Sequence, residues 1–163
     1  MRQPAILFVT VALLAGTPTA ARPQHPDSSM VGTWAGSAQI TVPWTMQRDL
    51  AVRVTIRDDG SVSGTIGDAQ LVDGHFANAR GIVARALRIG REYCIEGKMS
   101  GMVIRSEAVQ RATVRMSIDW KRQTFEGELQ TSGTFDGTPE DLILTAEGLV
   151  LKRAEGIVSV RRP

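Results

Sequence analysis

The sequence predicts an all-β chain: an antiparallel up-and-down meander of about eight to ten strands that closes into a barrel, with an open β-sandwich as the alternative. Three observations predict it. Apolar and polar residues alternate with a period of two, the period of a strand with one buried face. Short turn signals such as Asp58-Asp59-Gly60-Ser61 separate these runs. Finally, a glycine recurs between two apolar residues: Trp34-Ala35-Gly36-Ser37-Ala38, Val62-Ser63-Gly64-Thr65-Ile66, Ile95-Glu96-Gly97-Lys98-Met99, Phe125-Glu126-Gly127-Glu128-Leu129 and Ala146-Glu147-Gly148-Leu149-Val150. Residues i, i+2 and i+4 share one side of a strand, so all five glycines are expected on the core face, marking bends of a coiled or closed sheet. Their spacings of 28, 33, 30 and 21 residues are too uneven for a propeller or solenoid.

Residues 1–21 read as a cleaved secretory signal. Arg2 supplies the positive start, Ala5 to Ala15 an uncharged and mostly apolar run, and Gly16 to Ala21 a small-residue exit. The run is far shorter than the roughly 20 residues of a membrane span, so no membrane span is expected in the mature chain. No cysteine stands at its small-residue exit to become a new, lipid-bearing N-terminus, so a lipoprotein is not expected. The expected location is therefore secreted or periplasmic. Residues 22–29 hold two prolines and two serines and read as a linker; residues 30–163 form a single domain. At about 130 residues, such a domain buries an adequate core without disulfides. Cys94, the only cysteine, is expected as a buried small side chain on the face alternating with Ile95.

A first strand begins near Val31. Ala51 to Arg57 follows as a half-buried strand, with Val52, Val54 and Ile56 on one face and Arg53, Thr55 and Arg57 on the other. The Asp58–Ser61 turn leads into Val62 to Ile66, and Val72-Asp73-Gly74-His75-Phe76 reads as a second tight turn. Gly81 to Ile89 and Tyr93 to Met99 read as a pair joined through Gly90-Arg91-Glu92. Ser106 to Ala112 fits a helix or a polar strand, the strand being favoured. Thr113 to Trp120 is the clearest strand, with Val114, Met116, Ile118 and Trp120 on one face. Lys121-Arg122-Gln123 turns the chain into Phe125 to Thr131. Thr138-Pro139-Glu140-Asp141 starts at most one helical turn. Leu142 to Lys152 closes the chain, with apolar residues on both faces near Leu149-Val150-Leu151, as in a central or covered strand.

Gly32-Thr33-Trp34, together with the hairpin from Val54 to Thr65, resembles the first strand and hairpin of the calycin barrels, the lipocalin and avidin group. The likeness spans residues 31–66. It implies that Trp34 is a structural plug at the barrel base, with Lys152 or Arg153 from the last strand over its ring as a cation–π partner.

Catalytic groups are sparse. The only histidines are His25, in the linker, and His75, beside a turn glycine; neither has the setting of a triad base, and no Gly-x-Ser-x-Gly elbow occurs. One cysteine and two distant histidines make no zinc site, and the acidic turns lack calcium-loop spacing. No metal and no cofactor are expected. Glu126 and Glu128 share an outward strand face, and a cross-strand salt-bridge ladder with Arg115 and Asp119 is the favoured reading over a glycosidase pair. Without residues 1–21 the chain carries 18 basic and 17 acidic side chains, a net of +1, so no nucleic-acid partner is expected. Trp44, beside Pro43, is expected to be exposed, and Trp44, Tyr93 and Trp120 are the candidate ligand-binding residues at a barrel mouth, although core packing is the favoured reading for Trp120, whose strand face is wholly apolar.

These features favour an exported, non-catalytic binding module for a small apolar ligand or an exported macromolecule. One alternative is a hydrolase or isomerase with a carboxylate on the barrel rim. The other is a structural envelope component joining through edge strands, at Ile40 to Trp44 or Ile157 to Val160.

Overall fold

Eight strands run up and down in chain order and close on themselves in a computed structural model, which describes residues 25–79, 90–104, 107–135 and 141–154. They are β1 (Gly32–Ile40), β2 (Asp49–Ile56), β3 (Ser61–Ile66), β4 (Ala69–Asn78), β5 (Tyr93–Ile104), β6 (Glu107–Lys121), β7 (Thr124–Phe135) and β8 (Asp141–Arg153). Each pairs antiparallel with the next, and β1 pairs with β8, so the meander is a closed barrel and not an open sandwich.

The alternation read from the sequence sets which way each strand faces. Val52, Val54 and Ile56 point inward and are buried; Val114, Met116 and Ile118 do the same on β6. With Trp34, Phe76, Ile95, Phe125, Leu129, Leu144 and others they form one apolar cluster inside the barrel. Charged side chains such as Arg53, Glu96, Lys98 and Arg115 lie on the outer face. Apolar inside and charged outside is the reverse of a membrane-spanning barrel. Among the described residues no helix is long and apolar enough to cross a membrane.

Four of the five repeated glycines sit where the pattern put them, and the reason is close approach of backbones. A Cβ at Gly36 would overlap the Val150 carbonyl oxygen; at Gly64 and Gly127 it would overlap those of Arg53 and Ser117. At Gly97 it would press on Leu71 and on the Gly74 backbone. Gly148 departs from the expectation. It is exposed and lies in a β-bulge, where Gln39 pairs with Glu147 but Ser37 pairs with Val150. Its φ of 65° is the left-handed conformation that glycine adopts without strain. The bulge shifts the phase of β8, so Ala146, Leu149 and Leu151 all face inward while Val150 faces out. That shift explains the run of apolar residues on both faces.

Val72 to Phe76 is also corrected. It lies inside β4 as a bulge with Asp73 at φ 53°, and the chain turns earlier, at Gly67-Asp68. An Asp-Gly pair serves a bulge as well as a turn, because both need a residue in the left-handed region. β5 pairs with β4 and β6. The expected strand from Gly81 to Ile89, the Thr138–Glu140 helix start and Ile157 to Val160 lie outside the described residues.

The β6–β7 hairpin turns through Arg122 and Gln123, with φ of 47° and 67°. Two-residue turns of this kind favour Asn-Gly, since other side chains resist positive φ. The double substitution Arg122→Asn, Gln123→Gly is expected to stabilise the fold by about 1 kcal/mol. A urea titration checks this: the midpoint should rise while the slope stays constant.

Candidate functional site

Strand direction places the first residues of β1 and the last of β8 at one end of the barrel, the lower end. Trp34 lies there, fully buried, and its Nε1 donates to the Met30 carbonyl at 2.8 Å. Arg153, not Lys152, covers it, with Cζ 4.7 Å from the ring centroid. The same guanidinium donates to the carbonyls of Ser29 at 2.7 Å and Val31 at 3.2 Å. One side chain thus ties the last strand to the segment that precedes the first. Asp27 braces that segment by accepting from the Ser29 N–H and hydroxyl, bonds that hold its carboxyl below the ordinary range.

Trp120 and Phe125 meet Trp34 edge-on, at 5.3 Å and 5.0 Å between centroids. Tyr93 stacks on Phe76 at 5.1 Å, and Phe76 lies 6.3 Å from Phe125. Five rings therefore close the lower end. Trp44 lies at the other end, in the β1–β2 connection, with its Nε1 bonded to the Ile143 carbonyl at 3.3 Å. It is half-buried against the core, not exposed. Trp44, Tyr93 and Trp120 thus do not rim one mouth. Alternation alone shows which face a residue takes; only the strand order shows which end.

The expected cross-strand ladder of Glu126 and Glu128 with Arg115 and Asp119 does not form as salt bridges between those residues. Register sets Asp119 opposite Glu126, a like-charge pair. Each acid finds its cation elsewhere: Asp119 accepts from Arg91 at 2.9 Å and from the Glu92 N–H, and Glu126 meets Lys121 at 3.5 Å. Arg115 reaches across to β5, where its Nη1 lies 3.2 Å from Glu96.

That last pair belongs to a concavity of about 620 Å³ on the outer wall of β4 to β8. Two adjacent cross-strand rungs line it. In one, His75 faces Glu96, Glu96 faces Arg115, and Arg115 faces Gln130. In the other, Lys98 faces Thr113, Thr113 faces Ser132, and Ser132 faces Ile143. Glu96 is held from both sides, by Arg115 and by His75 Nε2 at 3.6 Å, while Lys98 lies 3.6 Å from Asp73. A volume in this range suits a ligand or a partner side chain. Sequence reading missed the site because its residues come from five strands whose register no local pattern reveals. The one available signal was the outward phase shared by Glu96, Lys98, Thr113 and Arg115.

Among the described residues no three His, Cys, Asp or Glu side chains converge as a metal ion requires. Ile40 donates to the Arg48 carbonyl and Thr41 to that of Thr145, so these two residues offer no free edge for joining strands. Cys94 is buried, and burial first, then the charge of Glu96, pushes its thiol up. It should resist thiol reagents in the native state, reacting on the order of tenfold or more slowly than in denaturant. Ellman-type labelling with and without guanidinium checks this.

No protein-family model, no curated protein and no solved structure matches the chain.

Proposed function

We propose that this chain is an exported, non-catalytic binding module that engages a macromolecular partner through its outer wall. One observation carries the reading: a concavity of about 620 Å³ opens on the outer wall among charged and polar side chains, where a partner can reach it. The wall of a closed barrel presents its side chains at fixed strand spacing, at little entropic cost on binding. Export rests on the signal character of residues 1–21. The kinship with calycin barrels draws support from Trp34 near the start of β1 beneath Arg153 from the last strand.

The test is native mass spectrometry and cross-linking of protein purified from its own host. A macromolecular partner cross-linked to the outer wall is the expected result. A co-purified lipophile that survives at one equivalent, with no protein partner, would replace this reading with the small-ligand one.

A further inference from the structure

Resting on that reading, we propose that the outer-wall concavity binds a carboxylate-bearing peptide segment, with Arg115 as its anchor and Gln130 as the second donor. Glu96 faces Arg115 from β5 and holds Nη1 at 3.2 Å. A guanidinium has five donors in a fixed fork. The side chain is more than half exposed, so the donors not used by Glu96 reach the concavity. On its other flank Arg115 faces Gln130, an exposed amide. A carboxylate seated between them accepts charge-assisted bonds from the guanidinium and a neutral one from the amide.

The two acids of the concavity do not repel such a group strongly. Glu96 already faces both Arg115 and His75, and Asp73 faces Lys98. Lys98 has a largely exposed side chain and adds a second attraction at the next rung. Ile143, half exposed, forms an apolar wall beside the polar floor. That mixture fits an acidic side chain flanked by an apolar one. Among the described residues no Phe, Tyr or Trp lines the concavity, so they supply no large stacking platform of the kind that sugars or bases use. Glu96 is then a positioning residue: it orients the guanidinium without touching the partner.

The experiment is fluorescence anisotropy on the whole folded protein with three labelled peptides of equal length. One alternates Glu with Leu, one Lys with Leu, and one Ser with Leu. The acidic peptide should bind at least tenfold more tightly than the other two and weaken with added salt. Arg115→Ala should cost tenfold or more. Arg115→Lys should recover only part, because a point charge does not reproduce the fork. Arg53→Ala, an equal loss of charge on the β2 outer face, should change nothing. Arg115 and Arg53 are exposed, so circular dichroism and an unchanged melting midpoint establish that the variants fold. Equal binding of all three peptides, or equal losses from Arg53→Ala and Arg115→Ala, overturns the proposal. Failure of every peptide to bind overturns it too. A cross-linked partner retained by Arg115→Ala overturns this site while leaving the binding-module reading in place.

Discussion

Replacing Trp34 with alanine should destabilise the barrel by about 3–5 kcal/mol, the range for deleting a buried large aromatic. The cost has three sources. The indole is fully buried and meets Trp120 and Phe125 edge-on, so its removal leaves a cavity at the lower end. The Met30 carbonyl loses the Nε1 donor. Arg153 loses the ring beneath it, although its bonds to Ser29 and Val31 remain. The last two terms separate from the first by comparison. Trp34→Phe keeps much of the apolar volume and drops the donor, and should cost about 1–2 kcal/mol. Arg153→Ala keeps the core and unties the preceding segment, and should cost about 1 kcal/mol, because the guanidinium is partly solvated. Urea midpoints of the three variants check the order. Should Trp34→Ala lie within 1 kcal/mol of the wild type, the ring cluster does not hold the lower end together.

How much of this was legible in the sequence depends on what each feature rests on. Strand identity and facing were legible at β2, β6 and β7, because a two-residue period is local and Val52–Ile56 or Val114–Ile118 carries it without interruption. The Asp58–Ser61 turn was legible for the same reason: the Arg57 N–H bonds to the Ser61 carbonyl just where the glycine allows the chain to reverse. Bulges broke the reading. At Asp73 and at Gly148 one extra residue changes the phase of everything after it, and the residue types that permit a bulge are those that permit a turn. Position along the barrel axis was not legible at all. Trp44 and Trp120 lie at opposite ends because one follows an upward strand and the other ends a downward one, and this depends on the number and order of all strands between them. The outer concavity needs still more, the register of five neighbouring strands, so Arg115 and Gln130 could not be joined before the sheet was closed.

Gly127 offers the sharpest test of that closed geometry. It faces inward between Phe125 and Leu129, pairs with Ile118 on one side and Leu149 on the other, and has no room for a methyl group. A Cβ there would overlap the Ser117 carbonyl oxygen and crowd the Ile118 Cα, both backbone atoms that no rotamer change moves away. Gly127→Ala must therefore spread β6 from β7, and should cost about 3 kcal/mol or more, the upper end of overpacking. Gly148 supplies the contrast on the next strand. Nothing lies within 4 Å of a Cβ placed there, and the only obstacle is its φ of 65°. Gly148→Ala should cost about 1–2 kcal/mol for the left-handed backbone, and Gly148→Asn less, because asparagine tolerates that region. At Gly127 asparagine brings no relief and adds a polar amide to an apolar interior. The two positions should therefore respond oppositely when alanine is exchanged for asparagine: recovery at 148, further loss at 127. Denaturant midpoints of the four variants decide it. If Gly127→Asn is as stable as Gly148→Asn, β6 and β7 do not approach as closely as a closed eight-stranded barrel requires here.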